Sequence, residues 1–185
     1  MSEPPADPSS PDRFQPVAAL LSVVFPGAGH AYLGYVHRAV LIGVGVLGLF
    51  FGGVLVGGID SIDANEDRIW FIGQALVGPT AFGVNHVNQT FFKGWALDPR
   101  TNRSVLRAPR PGEGIALEEM APGRTRRVIT ASGTPPITKS LGRASELGTL
   151  MAALAGMMNL LVIIDAAYSC RRSEAGAGRA AGAAA

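Results

Sequence analysis

The fold is decided between Val17 and Ile59, where the chain reads VAALLSVVFPGAGHAYLGYVHRAVLIGVGVLGLFFGGVLVGGI. These 43 residues carry one formal charge, that of Arg38. Two further stretches, Ile69 to Phe92 and Leu147 to Ile164, contain no Asp, Glu, Lys or Arg. A water-soluble helical protein would show charged faces at a period of 3.6 residues instead of uncharged blocks. The sequence therefore predicts an integral membrane protein and excludes a disordered chain.

The apolar stretches are next divided into membrane crossings. A helix needs roughly 20 residues to cross the hydrocarbon core of a bilayer, so the first stretch is too long for one crossing. Gly34 to Arg38 interrupt it, which gives segments 17–35 and 39–59 as a tight hairpin, followed by 69–92 and 147–168. We therefore predict an all-α integral membrane protein with about four transmembrane helices, of which the first is kinked or re-entrant. Together, 17–92 form a membrane domain of three apolar segments.

The remaining segments are polar or of low complexity. Residues 1–16 are rich in proline and acid, show no clear secretory signal and are predicted to form a disordered tail. Residues 93–146 contain six prolines and are predicted to be a soluble loop or small subdomain, with Arg126 to Thr130 as a strand. The Ala/Gly-rich end, 169–185, is also predicted to be disordered. The single cysteine, Cys170, cannot form an internal disulfide and so indicates no redox compartment.

Orientation follows from the number of Lys and Arg residues on each side of four crossings. The segments 36–38 and 93–146 hold eleven, and the rest of the chain holds five. Because cytoplasmic segments carry the excess of Lys and Arg, these two segments are predicted to be cytoplasmic, with both termini outside. The predicted location is the inner membrane of a bacterial cell, as a multi-pass protein.

The same count of crossings assigns the ionisable side chains to the two sides. It places all three histidines on the cytoplasmic side, and it places four aspartates outside, namely Asp60, Asp63, Asp67 and Asp165. A pair between His30 and Asp165 is therefore excluded, and Arg68 is the predicted partner of Asp165. The alternatives are a merely solvated carboxylate and the local competitors Arg171 and Arg172.

The run Phe25 to Gly34, FPGAGHAYLG, is the most informative motif. Pro26 removes a helical hydrogen-bond donor, and Gly27 and Gly29 lack side chains, so the helix is expected to kink or unwind there. His30 and Tyr32 are then expected at the membrane interface. The run is not a phosphate-binding loop, because neither G-x-G-x-x-G nor Gly-Lys-Ser/Thr is present.

This run resembles the TM-two (two-transmembrane) domain, whose first helix ends in a Gly-x-Gly-x-His-Arg-Phe-Tyr-Leu-Gly type of motif and whose second ends in an apolar run closed by Asp. The matching positions are Gly27, Gly29, His30, Tyr32, Leu33 and Gly34, then 160–164 closed by Asp165. The chain is more similar to uncharacterised bacterial multi-pass proteins that carry Pro-Gly-x-Gly-His-x-Tyr-x-Gly near the start and Ala-Gly-x-x-Asn-Leu-Leu-x-x-x-Asp-Ala near the end. Asn159 and Asp165 fall on the second pattern. Since such families have no established activity, the resemblance implies membrane residence alone.

Two features of the apolar segments concern packing. Small residues recur at four-residue spacing in the second and fourth segments, at Gly48, Gly52, Gly53 and Gly57 and at Gly148, Ala152 and Gly156. Such spacing lets helices approach closely, here within one molecule or, as the alternative, between copies. The third segment is polar, with Gln74, Pro79 and a predicted polar cluster at Asn85 and His86, so it is expected to face protein and not lipid.

No catalytic or metal-binding constellation emerges. The histidines lack an H-x-x-x-H pair, and Asp60 to Asp67 lacks the glycine and terminal glutamate of an EF-hand, so no metal ligand or cofactor is predicted. Gly-x-Ser-x-Gly is absent, and no serine has a defensible His and acid partner, so the chain is predicted not to be an enzyme. The basic cluster Arg124 to Arg127 would face anionic headgroups, although plain surface charge is the favoured explanation.

The sequence thus favours a small multi-pass membrane protein with a structural or protein-interaction role. Its expected partners are the lipid bilayer and either another copy or a membrane protein, and no nucleic acid. The alternative is a transporter or channel subunit for a small solute or ion. A proline-broken first segment and a polar third one would suit helices that line a path.

Overall fold

The computed structural model describes residues 14–110, 112–131 and 143–169. The helices are α1 (Pro16–Val24), α2 (Ala28–Tyr32), α3 (Val36–Gly57), α4 (Arg68–Ala75), α5 (Pro79–Val87) and α6 (Arg143–Tyr168), and the strands are β1 (Gly94–Leu97), β2 (Ser104–Arg107), β3 (Gly114–Ala121) and β4 (Arg124–Thr130). A 3-10 turn (Ile59–Ser61) follows α3, and a π-helical turn (Asn88–Phe92) follows α5. The fold is mixed α/β, so the predicted all-α architecture with about four transmembrane helices is wrong. The predicted tails lie outside the described residues, except for 14–16 and 169.

Two helices in the described part of the chain, α3 and α6, are long and apolar enough to cross a membrane. Their 22 and 26 residues span about 33 and 39 Å at 1.5 Å per residue, which exceeds the roughly 30 Å of a hydrocarbon core. In each of these helices an apolar stretch of 18 residues is long enough to be compared, and only 28% of that stretch in α3 and 39% in α6 are buried within the protein. A core helix of a soluble protein would be mostly buried, so these two helices differ from that case.

The two long helices pack antiparallel. Arg38 at the start of α3 contacts Asp165 near the end of α6, and Gly57 at the end of α3 packs on Gly148 near the start of α6. The pair therefore has two ends. We call the end where α3 begins the His30 end, and the end where α6 begins the Lys93 end.

Helices α1 and α2 form a half-length hairpin at the His30 end. The chain enters there, because the amide of Gln15 donates to the carbonyl of Ala167 at the end of α6 (2.7 Å). It reverses at Gly27, whose φ of 89° is a conformation that glycine adopts easily and other residues rarely adopt. Helix α2 then brings His30 back to Asp165. At nine residues, α1 is about 14 Å long, so segment 17–35 is not one helix of membrane-spanning length.

Helices α4 and α5 form a second half-length hairpin, at the Lys93 end. The chain reverses at Gly78, with a φ of 99°, and Pro79 begins the next helix. The end of α5 returns to the turn that precedes α4. There the Oδ1 of Asn85 accepts from the amide of Ala64 (3.0 Å), and the Nδ2 of Asn88 donates to the carbonyl of Ile62 (3.2 Å). Segment 69–92 is therefore not one helix of membrane-spanning length either.

These hairpins correct the predicted side of two connecting segments. Since 17–35 returns to the end where it began, segment 36–38 lies with the start of the chain and not with the sheet. Since 69–92 also returns, 60–68 lies at the same end as the sheet. The prediction failed because one long apolar run and two half-length helices joined at a proline-glycine reversal have the same composition.

A four-stranded sheet follows the second hairpin at the Lys93 end, with the order β2-β1-β4-β3. Strand β1 pairs antiparallel with β2 and parallel with β4, where Trp95 registers with Val128, and β3 pairs antiparallel with β4. Strand β4 includes the predicted strand Arg126 to Thr130. The sheet is thus inserted between the second hairpin and α6.

Candidate functional site

A buried histidine, a carboxylate and an arginine meet at the His30 end. The Nε2 of His30 lies 2.8 Å from the Oδ2 of Asp165, and a guanidinium nitrogen of Arg38 lies 2.8 Å from the same oxygen. His30 is fully buried, whereas Asp165 is 44% exposed and Arg38 57%. The predicted exclusion of a His30–Asp165 pair is wrong, and so is Arg68 as the partner, because Arg68 begins α4 at the opposite end.

Close backbone packing delivers His30 to this position. A Cβ on Gly29 would lie 3.0 Å from that of Ala166 and would overlap the carbonyl of Ala18, so only glycine lets α2 lie against both α1 and α6. The Nδ1 of His30 and the hydroxyl of Ser22 are buried without a hydrogen-bond partner among the described residues, so no bond joins them. Ser22 is therefore not activated as a nucleophile, although Ser, His and Asp are all present.

The other motif residues shape the same hairpin. Pro26 is buried next to the reversal, and its carbonyl faces Gly43 of α3. Gly34 has a φ of 91° and ends the hairpin before α3 begins. Tyr32 is half-exposed at this end of the protein. The motif from Pro26 to Gly34 is thus the turn and returning arm of the first hairpin.

Asn159 joins the two hairpins in the interior. Its fully buried amide donates to the carbonyl of Ser22 in α1 (3.3 Å) and to that of Leu76 at the end of α4 (2.8 Å). The two reversals touch here as well, because a Cβ on Gly78 would overlap the carbonyl of Val23. The hairpins enter from opposite ends and meet beside α6, and Asn159 supplies the hydrogen bonds that their broken helices leave open.

A buried ionic cluster lies at the Lys93 end. The ammonium of Lys93 is fully buried and bonds to the carboxylate of Asp63 and to Oε1 of Glu66 (3.0 Å), with Oδ1 of Asp60 at 3.9 Å. Burial raises the pKa of Asp63, but the hydrogen bonds from Lys93 and from the amide of Asn65 lower it overall. Burial lowers the pKa of Lys93, but its hydrogen bonds to both carboxylates raise it overall. Asp63 and Lys93 are therefore held in their charged forms.

Sequence reasoning missed this cluster because it placed segment 60–68 on the side away from the sheet. A signal existed, since Lys93 directly follows a long uncharged run and four acids occur between Asp60 and Asp67. An ammonium at that position needs a carboxylate nearby once it is buried. Only the reversal at Gly78 reveals that the two segments meet.

Asn85 and His86, the predicted polar cluster, lie in different surroundings. Asn85 is half-buried and contacts the turn before α4, whereas His86 is exposed. The three histidines were predicted to share one side, and they do not. His30 and His37 lie at the His30 end, and His86 lies near the end of α5.

A cleft of about 320 Å³ opens where the sheet meets the second hairpin, and we call it the β4 cleft. Its walls include Thr90 and Trp95 on one side and Thr125, Arg126 and Arg127 of β4 on the other. The guanidinium carbon of Arg126 lies 4.2 Å from the ring centre of Trp95. Arg127 donates to the carbonyl of Thr90. The cleft combines fixed positive charge with aromatic surface.

These features define a compact helical unit with two long apolar helices, two half-length hairpins and one appended sheet. The chain belongs to a protein family of unknown function, DUF6677, which matches residues 17–177. No curated protein and no solved structure matches the chain. The family match spans both hairpins, both long helices and the sheet.

Proposed function

We propose that this protein is an integral membrane protein that crosses the bilayer twice, through α3 and α6, with a structural or protein-interaction role. The apolar surface of the helical unit carries the proposal. Leu55 on α3 is 85% exposed and Ile69 on α4 is 84% exposed, and large apolar side chains face outward on every long helix and on both hairpins. Soluble proteins rarely expose contiguous apolar patches of more than a few hundred Å², so lipid is the partner that fits this surface.

The proposed orientation has the sheet in the cytoplasm. With two crossings, residues 58–146 contain eleven Lys and Arg, and the rest of the chain contains five. The excess of positive charge favours the cytoplasmic side for the sheet. The cell membrane is the proposed location, and a bacterial inner membrane is what the sequence resemblance implies.

The proposed structural role rests on how the polar groups of the interior are used. Asn159 donates to two backbone carbonyls, and the amide of Gln74 donates to the carbonyl of Ser61 (2.9 Å). These groups hold the interior together through hydrogen bonds to backbone carbonyls. Lys93 and Arg127 in turn connect the sheet firmly to the second hairpin. A sheet held rigidly at the membrane surface suits a docking role for another copy or a membrane protein.

Membrane integration is tested by extraction. Carbonate at high pH should leave the full chain in the membrane pellet, and detergent should be needed to release it, because the apolar surface has no other cover. Recovery of the folded chain as a soluble monomer after carbonate would contradict the proposal.

The interaction role needs a second test, on the sheet. A photo-crosslinker replacing Leu117, which is exposed on β3, should yield a defined adduct with a membrane protein or a second copy. The same group at Arg100, exposed in the turn after β1, serves as the matched control. Identical patterns from the two positions would argue against a docking surface on the sheet.

A transporter or channel subunit is the second candidate, because two broken helices meet in the interior. In transporters such half-helices from opposite sides often surround a substrate site. Purified protein in liposomes should then pass a small solute or ion, and Gln74→Leu or Asn85→Leu should change the flux. Equal flux for the wild type, both variants and empty liposomes would eliminate this candidate.

A further inference from the structure

We propose that the β4 cleft binds the phosphate of an anionic phospholipid headgroup on the side of the membrane that carries the sheet. This inference rests on the proposed membrane location and adds a specific lipid class to it. The expected ligand is a phosphodiester next to an apolar surface, and the headgroup layer of a bilayer presents this combination.

The position of the cleft matches the headgroup level. Phe91, 56% exposed, is the last outward apolar side chain of the second hairpin, and Val56 and Leu147 are the corresponding positions on α3 and α6. The guanidinium of Arg127 lies 5.5 Å from the ring centre of Phe91. The positive charges of the cleft therefore stand where the apolar surface ends, which is where basic and aromatic side chains meet headgroups.

The charge of the cleft is not neutralised within the described residues. Neither Arg126 nor Arg127 forms an ion pair there, although Glu118 lies opposite Arg126 in the register of β3 and β4. On the same sheet, Arg107 is held by both oxygens of Glu113, at 2.7 and 2.8 Å. The two cleft arginines thus differ from a neighbouring arginine whose charge is satisfied.

The geometry of the two arginines leaves donors for a ligand. Arg126 lies over Trp95 and Arg127 over Phe91, so the rings engage the faces of the guanidinium groups. One nitrogen of Arg126 also donates weakly to the sulfur of Met120 (4.0 Å), which leaves its other N–H donors for a ligand. Arg127 uses one of its five N–H donors on the carbonyl of Thr90. Lys93 also borders the cleft, but its charge is taken by Asp63 and Glu66. Two planar cations that border one cleft fit a phosphate.

The test uses Trp95 as a reporter of the lipid beside it. The chain has two tryptophans, so Trp70→Phe leaves Trp95 alone, and the full-length protein is reconstituted in phosphatidylcholine vesicles. Phosphatidylglycerol with brominated acyl chains is added as a minor component, and its quenching of Trp95 is compared with that by brominated phosphatidylcholine. Preferential quenching by phosphatidylglycerol is expected. No preference would overturn the inference.

Variants separate a specific site from general charge. Each arginine near an anionic surface contributes about fivefold to affinity, so Arg126→Gln with Arg127→Gln should lower the preference about 25-fold. Arg100→Gln with Arg103→Gln removes the same charge from exposed positions in the turn between β1 and β2 and should leave the preference unchanged. Equal losses in both double variants would overturn the inference. If the loss of Arg127 disturbs the sheet, Arg126→Gln alone should still lower the preference about fivefold.

Two further outcomes are distinguished. Sodium phosphate that abolishes the preferential quenching at low millimolar concentration would assign the cleft to free phosphate and overturn the lipid assignment. Quenching of Trp95 by neither brominated lipid, in protein that still floats with the vesicles, would overturn the headgroup site and leave the membrane proposal standing. Failure of the protein to float with the vesicles would contradict the proposed function itself. Quenching by both lipids without preference contradicts only the headgroup site.

Discussion

Gly148 lies where α3 and α6 come closest, and replacing it by alanine should force the two helices apart. A Cβ at Gly148 would lie 2.6 Å from the amide nitrogen of Gly57 and would also overlap backbone atoms of Gly57 and Gly53. Backbone atoms cannot rotate away as a side chain can. We therefore place the cost near the top of the 1–3 kcal/mol typical of overpacking. The better helix propensity of alanine returns about 1 kcal/mol, so the net destabilisation should be about 2 kcal/mol.

Gly48 provides the matched control on α3. A Cβ at Gly48 would meet no atom within 4 Å, so Gly48→Ala should be neutral or stabilising by up to about 1 kcal/mol. Unfolding by sodium dodecyl sulfate in mixed micelles, followed by circular dichroism, gives both free-energy changes. Equal effects of the two variants would refute the packing argument. A destabilisation by Gly148→Ala that increases on dilution would place this seam between copies and not within one.

Three further predictions address the hairpins and the ionic cluster. Asn159→Leu should cost about 1–3 kcal/mol in the same unfolding assay, since it removes two interhelical hydrogen bonds; an unchanged midpoint would contradict the bridging role. Asp63 has a lowered pKa, so its contribution to stability is present above the ordinary pKa of 3.8 and is lost as the pH falls below that value. Lys93 has a raised pKa, so its contribution is present below the ordinary pKa of 10.5 and is lost as the pH rises above that value. Lys93→Met should flatten both limbs of this pH profile, and a retained acid limb would contradict the pairing. Cysteines in place of His30 and Asp165, in a chain without its native cysteine, should link with a short reagent; absence of linkage would contradict the first hairpin.

The sequence locates apolar segments better than it locates their ends in space. The predicted segments 39–59 and 147–168 overlap α3 and α6, and the predicted strand lies within β4. These elements follow from uninterrupted hydrophobicity and from β-branched residues, which are local properties. Local sequence patterns were therefore sufficient to predict these elements.

The number of crossings was not predictable in the same way. Segments 17–35 and 69–92 have the length and polarity of a span, yet both reverse halfway, at Gly27 and at Gly78. A proline beside a glycine predicts a kink, but the angle of that kink depends on what packs against it. Here Asn159 donates hydrogen bonds to both hairpins, and the glycines of α6 let neighbouring backbones pack closely against it. The contact between His30 and Asp165 exists because the chain reverses, so a prediction that lacks the reversal cannot include it.

The central claim, that the chain crosses the membrane twice and not four times, is tested by labelling single cysteines from each side of sealed vesicles. His37→Cys, Asn65→Cys and Arg103→Cys are exposed positions, each placed in a chain with Cys170→Ser. Two crossings predict that a membrane-impermeant maleimide reaches positions 65 and 103 from the same side and position 37 from the other. Labelling of 37 and 103 from one side, with 65 from the opposite side, is the pattern of four crossings and would contradict the account.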